Sequence, residues 1–217
     1  ETPRISEEGK SPAPEYFGKF RLERLLGSLQ MRPVYHAVEE GLDRVVALHI
    51  FSREEAGELE DFGDFRHPRI IPILEMGEHD GKTFVATEHV PGKTLDEMSV
   101  EPREAIGMVR DAARALHEAH RKGLAHRNIH PRNIMLGEDG DVRLMNFGLP
   151  PHPHKTAALS PEQERGEKGD ARSDVWSLAA TLRLLPGSIP GLETVYRNAM
   201  HRDPKKRYPD AGALADD

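Results

Sequence analysis

The feature that most constrains the fold is a change of hydrophobic pattern at Pro91 and Gly92. Before this dipeptide, apolar residues fall in short runs rich in β-branched or aromatic residues, such as residues 20–22 and 45–48, which favours strands. After it, apolar residues recur on one helical face between residues 106 and 119. The pattern predicts an α+β fold in which a β-rich part precedes a mostly helical part.

Capping and turn residues place the individual elements. We expect three antiparallel strands between residues 17 and 50, and Ser52 is suited to cap a short acidic helix that runs through residue 65. In the second part, Pro102 suits the first turn of a long helix and Gly123 ends it. The other predicted elements are strands at 70–75, 82–88, 134–136 and 142–144, a turn at 77–81, and helices at 173–185 and 192–201.

The composition fits one domain of two parts and excludes several classes of protein. The chain has 217 residues and a formal net charge of -7 without a long lysine or arginine block, so we expect no nucleic-acid partner. It has no cysteine, which removes disulfides and cysteine zinc sites and fits a reducing compartment. No apolar stretch approaches the roughly 20 residues of a membrane span. Residues 1–15, rich in proline and charge, are predicted to be a disordered linker before a domain at 16–217.

Seven short motifs follow one another along the domain. They are residues 26–37 (LGSLQMRPVYHA), 46–49 (VALH), 124–136 (LAHRNIHPRNIML), 146–148 (NFG), 160–162 (SPE), 174–178 (DVWSL) and 203–208 (DPKKRY). In this order they resemble the motifs of the protein kinase family, from the glycine-rich loop to the late motif of the large lobe, and the bacterial serine/threonine type in particular. The resemblance implies a two-lobed fold with a small lobe at about 16–90 and a large lobe at about 91–217. One helix of the large lobe would be missing, since only residues 186–190 connect two predicted helices.

The resemblance also implies that the structural residues of the family are largely present. Glu162 would pair with Arg207, and Asp174, in the same helix as Trp176, would anchor the catalytic loop. Two hydrophobic columns would join the lobes, the second of them completed by adenine. The column residues are Phe62, Ile73, His126 and Phe147 in the first, and Val34, Ala47 and Met135 in the second.

Three residues depart from the family at positions that carry its chemistry. His49 stands in place of the ATP-binding lysine and, with an ordinary pKa of about 6.5, is mostly neutral at pH 7. Asn128 stands in place of the catalytic aspartate, and an amide cannot accept the proton of a substrate hydroxyl. Asn146 stands in place of the metal-binding aspartate, whereas the second metal ligand, Asn133, is retained. Removing one preorganised charge-stabilising group typically costs about 3 to 4 kcal/mol in the transition state.

The nucleotide cleft is therefore expected to be vestigial. Leu29 and Arg32 replace two glycines of the loop, and Pro33 offers no N–H, which would obstruct the phosphate cradle. Glu58 would lose the lysine that it normally contacts. The residues of this vestigial cleft are Gly27, Val34, Ala47, His49, Glu58, Glu88, Met135, Asn133 and Asn146.

These departures predict a bacterial-type pseudokinase that is not an enzyme, has no catalytic residue and no metal site, and acts as a protein-binding scaffold or allosteric signalling domain. ATP and magnesium are expected only as weak ligands, and the partner is a protein of unknown identity. We expect no direct membrane insertion by this chain and a cytoplasmic location, alone or within a larger membrane-anchored protein. Two alternatives stay open, a nucleotide-binding sensor and a weak atypical ATP-dependent transferase that uses Arg32, Asn133 and Asn146.

Overall fold

The chain divides into two compact units. The structure, a computed structural model, describes residues 15–29, 32–58, 65–149, 157–185 and 191–217. The first unit contains the residues up to Glu54 together with Ile73–His89, and the second contains Glu55–Pro72 and Val90–Asp217. The predicted division at about residue 90 therefore differs from the observed one for residues 55–72. Glu15, the last residue of the predicted linker, is the first residue of a strand, and the rest of that linker lies outside the described residues.

The first unit is a six-stranded antiparallel sheet. Its strands are β1 (Glu15–Phe17), β2 (Phe20–Leu29), β3 (Arg32–Glu39), β4 (Arg44–Phe51), β5 (Ile73–His79) and β6 (Lys82–Glu88). They lie in the order β1-β2-β3-β4-β6-β5. The three strands predicted between residues 17 and 50 are confirmed as β2, β3 and β4. The described residues of the motif that resembles a glycine-rich loop, 26–29 and 32–37, lie in the paired strands β2 and β3.

The two faces of this sheet carry different side chains. On one face, apolar residues form the core of the unit, which contains Phe17, Phe20, Ala37, Val46, Leu48, Ile50, Phe84 and Ala86. On the other face lie Val34, Ala47 and His49, because Val34 pairs with His49 and residues two apart in a strand point to the same side. Three residues predicted for the nucleotide cleft therefore share one face of the sheet.

The strand predicted at residues 70–75 begins later, at Ile73. Pro72 has no N–H to donate to a sheet, so a strand cannot run regularly through it. Ile70 forms an isolated parallel bridge with Leu144 instead, and the backbone N–H of Ile71 donates to the Leu144 carbonyl at 2.9 Å. The apolar residues before Pro72 thus belong to the second unit.

The turn predicted at residues 77–81 is shorter in the structure. The chain reverses at Asp80 and Gly81, which both have positive φ angles, 48° and 73°, as a tight hairpin between twisted strands requires. Gly77 lies within β5, where a Cβ atom would fall 2.8 Å from the ring of Phe84. That glycine allows a close approach of the ring and does not mark the turn.

The acidic helix predicted from Ser52 through residue 65 is wrong over its described part. The structure has a short 3-10 helix at Glu55–Glu58, and Phe65 is not helical. Residues 59–64 lie outside the described residues. Gly57 stands inside the short helix, and glycine is among the poorest helix formers, which explains why one 3-10 turn forms here.

The second unit contains a three-stranded antiparallel sheet and five α-helices in its described residues. The elements are β7 (Gly92–Thr94), β8 (Ile134–Gly137), β9 (Val142–Leu144), α1 (Pro102–His120), α2 (Pro161–Glu164), α3 (Ala171–Leu184), α4 (Glu193–Ala199) and α5 (Ala211–Asp216). The predicted helices and strands are confirmed as α1, β8, β9, α3 and α4, with small differences at their ends. The short elements β7, α2 and α5 were not predicted. No helix in the described ranges has both the length and the apolar character needed to cross a membrane.

A buried ion pair joins α2 to the segment that precedes α5. Arg207 donates from both terminal nitrogens to Glu162, at 2.6 and 2.8 Å, and both residues are 5% exposed. Ser173 donates to the same carboxylate at 2.7 Å, and the Arg207 guanidinium lies 5.0 Å from the ring centroid of Trp176. Burial raises the pKa of Glu162, but the hydrogen bonds from Arg207 and Ser173 outweigh it and lower the pKa to about 2.

The variant Glu162→Gln should lower the free energy of unfolding by about 3 to 5 kcal/mol at pH 7, because it leaves Arg207 buried without its counter-ion. Urea unfolding measures this change. The wild-type contribution is present above the ordinary glutamate pKa and is lost as the pH falls towards about 2, because the folded pKa is lowered. The double variant Glu162→Gln/Arg207→Met should lose less stability than Glu162→Gln alone. A single variant as stable as the wild type would contradict the stabilising role of the pair.

Candidate functional site

The segment that resembles a catalytic loop, residues 124–136, is held by the carboxylate of Asp174 in α3. This side chain is fully buried. Its Oδ2 atom accepts a hydrogen bond from the backbone N–H of His126 at 2.7 Å, and its Oδ1 atom accepts one from the backbone N–H of Arg127 at 2.6 Å. The structure therefore brings together the predicted anchor and the predicted loop.

A histidine that was not predicted completes this anchor. Nε2 of His120 lies 2.9 Å from Oδ2 of Asp174, and Nδ1 of His120 accepts a hydrogen bond from the backbone N–H of Ala211 at 3.2 Å. A ring nitrogen that accepts a hydrogen bond carries no hydrogen, so neutral His120 holds its hydrogen on Nε2 and donates it to Asp174. The anchor of the loop thus joins α1, α3 and α5.

The backbone of the loop is strained at Arg127. This residue has a φ angle of 62°, which is uncommon for a residue other than glycine. Its carbonyl accepts a hydrogen bond from Nε2 of Gln163 at 2.6 Å, and its Nε donates to the carbonyl of Gly169 at 3.1 Å. Such a conformation costs on the order of 1 to 3 kcal/mol and persists only where surrounding bonds hold it. Gln163, which was not predicted either, therefore acts as a positioning residue for the loop.

Three asparagines stand at positions that carry the catalytic or metal-binding residues of the family. They are linked by one chain of hydrogen bonds. Asn133 donates through Nδ2 to the backbone carbonyl of Asn128 at 2.7 Å, and its Oδ1 accepts from Nδ2 of Asn146 at 2.8 Å. Asn133 and Asn128 are buried. Asn146 has a φ angle of 60°, a conformation that asparagine adopts more readily than most residues. The hydrogen bonds run in one direction, from Asn146 through Asn133 to Asn128.

The magnesium ion implied by the resemblance does not fit this donor set. Oδ1 of Asn133 already accepts a hydrogen from Nδ2 of Asn146, so the two side chains would not offer a metal ion a pair of free oxygens. Magnesium favours carboxylate and water oxygens in octahedral geometry. Within the ranges that the structure describes, no group of three or more His, Cys, Asp or Glu side chains could hold a metal ion.

Phe147, next to Asn146, is held by two other aromatic rings. It packs edge-on against His126, with ring centroids 5.2 Å apart, and its centroid lies 6.1 Å from that of Phe65. Nε2 of His126 donates to the Met145 carbonyl at 2.9 Å, and burial lowers the pKa of His126. Of the predicted column, Phe62 lies outside the described residues and Ile73 belongs to β5 of the first unit.

His49, in β4 of the first unit, is buried and lacks a charged partner in the described residues. Its Nε2 atom lies 3.5 Å from Oγ1 of Thr87 in β6. Burial lowers the pKa of His49 to about 4, so the ring is neutral at pH 7. The side chain of Glu58, which would contact a lysine here in the family, lies outside what the structure describes. The position therefore provides no fixed positive charge.

The other predicted cleft residues are divided between the two units. Gly27 lies in β2 and pairs with Val34 of β3. Glu88 is the exposed last residue of β6, and Met135 is buried in β8 of the second unit. Arg32 begins β3, but its side chain is not among those described. The alternative that uses Arg32 as a cation therefore depends on the sequence alone.

Comparison with known proteins identifies similar chains. Residues 20–203 match the family described as protein kinase domain. The chain is 31% identical over 201 residues to the serine/threonine-protein kinase PrkC of Bacillus subtilis, covering 80% of this chain and 31% of PrkC. It is 32% identical over 206 residues to the serine/threonine-protein kinase PknB of Mycolicibacterium smegmatis, covering 79% of this chain and 33% of PknB. It thus spans about a third of the length of these relatives.

A solved structure is similar over nearly the whole chain. The crystal structure of the Mycobacterium tuberculosis PknI kinase domain has a TM-score of 0.79 and 25% sequence identity, and the match covers 95% of this chain and 98% of that one. This likeness confirms the predicted two-lobed α+β fold of the bacterial serine/threonine kinase type.

The prediction that the chain is not an enzyme is contradicted by the same comparisons. The similar curated proteins are named serine/threonine-protein kinases, and these names point to an enzyme. The prediction was drawn from three substituted side chains, His49, Asn128 and Asn146. These three positions do not outweigh a family match that extends over residues 20–203.

The variant Asp174→Asn should loosen the catalytic-loop segment, because an amide replaces one of the two acceptor oxygens and turns a donor towards a donor. Hydrogen bonds to a charged group contribute about 1.5 to 3 kcal/mol each, so the free energy of unfolding should fall by at least about 2 kcal/mol. Hydrogen exchange should quicken at the backbone N–H groups of His126 and Arg127. Asp216→Asn, at an exposed position of α5, is the matched control. Equal exchange in the two variants would contradict the anchoring role.

The variant His49→Gln should reduce the dependence of stability on pH. Between pH 6.5 and 4 the unfolded chain binds a proton that folded His49 does not, so wild-type stability falls as the pH falls. Glutamine does not titrate, and the loss of unfolding free energy between pH 7 and pH 4 should shrink by on the order of 3 kcal/mol. Urea unfolding at both pH values measures it. His126 titrates in the same direction in both proteins, and an unchanged difference would refute the burial of a neutral His49.

Proposed function

Because the chain belongs to the protein kinase family, we propose that it binds ATP and transfers the terminal phosphoryl group to a hydroxyl group of a protein partner. The observation that carries this function is the family match over residues 20–203, together with relatives named serine/threonine-protein kinases. The reaction class and the substrate class come to this chain by that analogy.

The firmly held loop supports this function. Phosphoryl transfer passes through a loose transition state, and positioning with electrostatic stabilisation supplies most of its catalysis. The buried carboxylate of Asp174 fixes the backbone at His126 and Arg127, and Gln163 fixes the Arg127 carbonyl. A loop positioned in this way keeps the part of catalysis that depends on geometry.

The substituted residues make this a slow enzyme. Asn128 can orient a hydroxyl group by a hydrogen bond but cannot take its proton, and general-base catalysis typically contributes about 10²- to 10⁴-fold. His49, with its pKa lowered to about 4, brings no charge to the phosphates at pH 7. Both losses reduce the rate and leave the class of reaction unchanged.

ATP is a weak ligand in this proposal. Nδ2 of Asn146 carries two hydrogens, of which one is given to Asn133, and the second can donate to a phosphate oxygen. Arg32 is proposed as the cation that replaces the lysine, on the basis of its position at the start of β3. Magnesium is at most a weak ligand, since the donor set lacks a carboxylate.

The partner is proposed to be a protein that presents a serine or threonine hydroxyl group. The scaffold role expected from the sequence is kept only as the docking of this substrate, and a net charge of -7 argues against nucleic acid. We propose a cytoplasmic location, for the domain alone or as part of a larger membrane-anchored protein. A chain without cysteine fits that reducing compartment.

The variant Asn128→Asp should raise the rate of phosphoryl transfer by about 10²-fold or more, because a carboxylate can accept the proton of the attacking hydroxyl. The rate is measured as transfer of labelled phosphate from ATP to the chain itself and to myelin basic protein. Asn198→Asp in α4 adds the same charge outside the loop and should leave the rate unchanged.

Absence of transfer by both the wild type and Asn128→Asp, with both proteins folded, would contradict the proposed enzyme. Saturable ATP binding without any product would favour the nucleotide-sensor alternative. Transfer by the wild type that Asn128→Asp fails to increase would show that the reaction does not depend on a base at this position.

A further inference from the structure

Building on the proposed function, we infer that an amide hydrogen of Asn146 takes the place of a divalent cation in this site. The hydrogen lies between the side chains of Asn146 and Asn133. If residue 146 were an aspartate, two oxygens would face each other there and a cation would be needed between them. With Asn146 in place, any binding of ATP is independent of divalent metal.

The direction of the hydrogen bonds fixes which atoms face each other. The backbone carbonyl of Asn128 can only accept, so the atom of Asn133 that lies 2.7 Å from it must be the donor Nδ2. Asn133 therefore presents Oδ1 at its other corner. The atom of Asn146 that lies 2.8 Å from this oxygen must in turn be Nδ2. No other assignment of the two amides satisfies both contacts.

The backbone holds the two amides in this arrangement. The N–H of Met145 donates to the carbonyl of Asn133 at 2.9 Å, which places Asn146 beside Asn133. Asn133 is 2% exposed, so water has little access to its side chain. The buried Oδ1 of Asn133 would therefore be costly to leave without a donor, because water could not replace the amide hydrogen.

An aspartate at position 146 would reverse this situation. Its carboxylate would bring an oxygen against Oδ1 of Asn133, at the spacing now occupied by a hydrogen bond of 2.8 Å. Two acceptors at that distance repel each other unless a proton or a cation lies between them. In a site with the aspartate, a bound metal ion would supply the positive charge that offsets this repulsion. Here the amide hydrogen of Asn146 bonds to Oδ1 of Asn133, so these two side chains need no metal ion between them.

The charge of the site leads to the same conclusion. Asn128, Asn133 and Asn146 are neutral, and the carboxylate of Asp174 is committed to two backbone N–H groups and to His120. The triphosphate of ATP, with about four negative charges at neutral pH, would be repelled by a carboxylate at position 146 unless a cation stood between them. Beside an amide it meets a hydrogen-bond donor, and no bridging cation is needed.

Direct metal titration of the wild-type chain tests the inference without any activity. Calorimetric titration with manganese chloride and with magnesium chloride, in the absence of nucleotide, should give no saturable binding. Saturable binding of either metal that Asn146→Asp strengthens by less than about twofold would overturn the inference, since Asn133 and Asn146 would then already form a metal site.

The variant Asn146→Asp should be stabilised by divalent metal, whereas the wild type should not. Its melting temperature in EDTA should fall below that of the wild type, and manganese or magnesium should raise it again, because a ligand that binds the folded state stabilises it. Asn198→Asp, with the same added charge in α4, should show no rise with metal. A rise no larger than that of the control would overturn the inference. A variant that folds only with manganese would support it, and if it never folds the wild-type titrations decide.

Equilibrium binding of ATP to the wild type separates this inference from the proposed function. The dissociation constant should agree within about twofold between EDTA and excess magnesium, and at least about tenfold tighter binding with magnesium would overturn the inference. If ATP binds under neither condition, the proposed function fails, and the metal titrations still decide whether the amide pair replaces the cation.

Discussion

The buried carboxylate of Asp174 is the interaction on which the geometry of the loop depends. Removing such a charge from water is expensive, and the cost is offset only when its oxygens are fully hydrogen-bonded. Three donors meet this requirement, the N–H groups of His126 and Arg127 and the Nε2–H of His120. Because the donors come from the loop and from α1, the charge can be satisfied only when these parts of the unit are in place. The strained backbone at Arg127 is stable for the same reason.

The substituted positions are neutral but still polar. His49 is held uncharged by burial, and Asn128, Asn133 and Asn146 carry amides that both donate and accept. A site with one lysine and two aspartates would need each charge to be balanced by another group or by a metal. Replacing all three removes that need in a consistent way, whereas replacing any one alone would leave an unbalanced charge. Each of the substituted positions is thus occupied by a neutral hydrogen-bonding group.

Sequence patterns predicted the elements that have a long hydrophobic periodicity. They also predicted the residues of the motifs that occur in the same order in the protein kinase family. The helix α1, the strands β2 to β4, the anchor Asp174 and the Glu162–Arg207 pair were all available in this way. The role of His120 could not be predicted from the sequence, because its partners in α3 and α5 are remote in sequence and no local pattern contains them. The apolar residues before Pro72 indicated too early a start for β5, because hydrophobic periodicity does not register the missing N–H of a proline. The direction of the hydrogen bonds between the asparagine side chains could be read only from three-dimensional contacts, and the similarity to proteins named kinases only from the comparisons.

The bond between His120 and the backbone of Ala211 has a consequence for synthesis of the chain. The loop that carries Asn128 emerges from the ribosome well before α5, yet the imidazole that supports its anchor is fixed by a residue of α5. Domains tend to fold as units when their chain is available. The catalytic-loop segment therefore reaches its final hydrogen bonding only after α5 has left the ribosome, so a segment that is made much later than the loop completes its anchor.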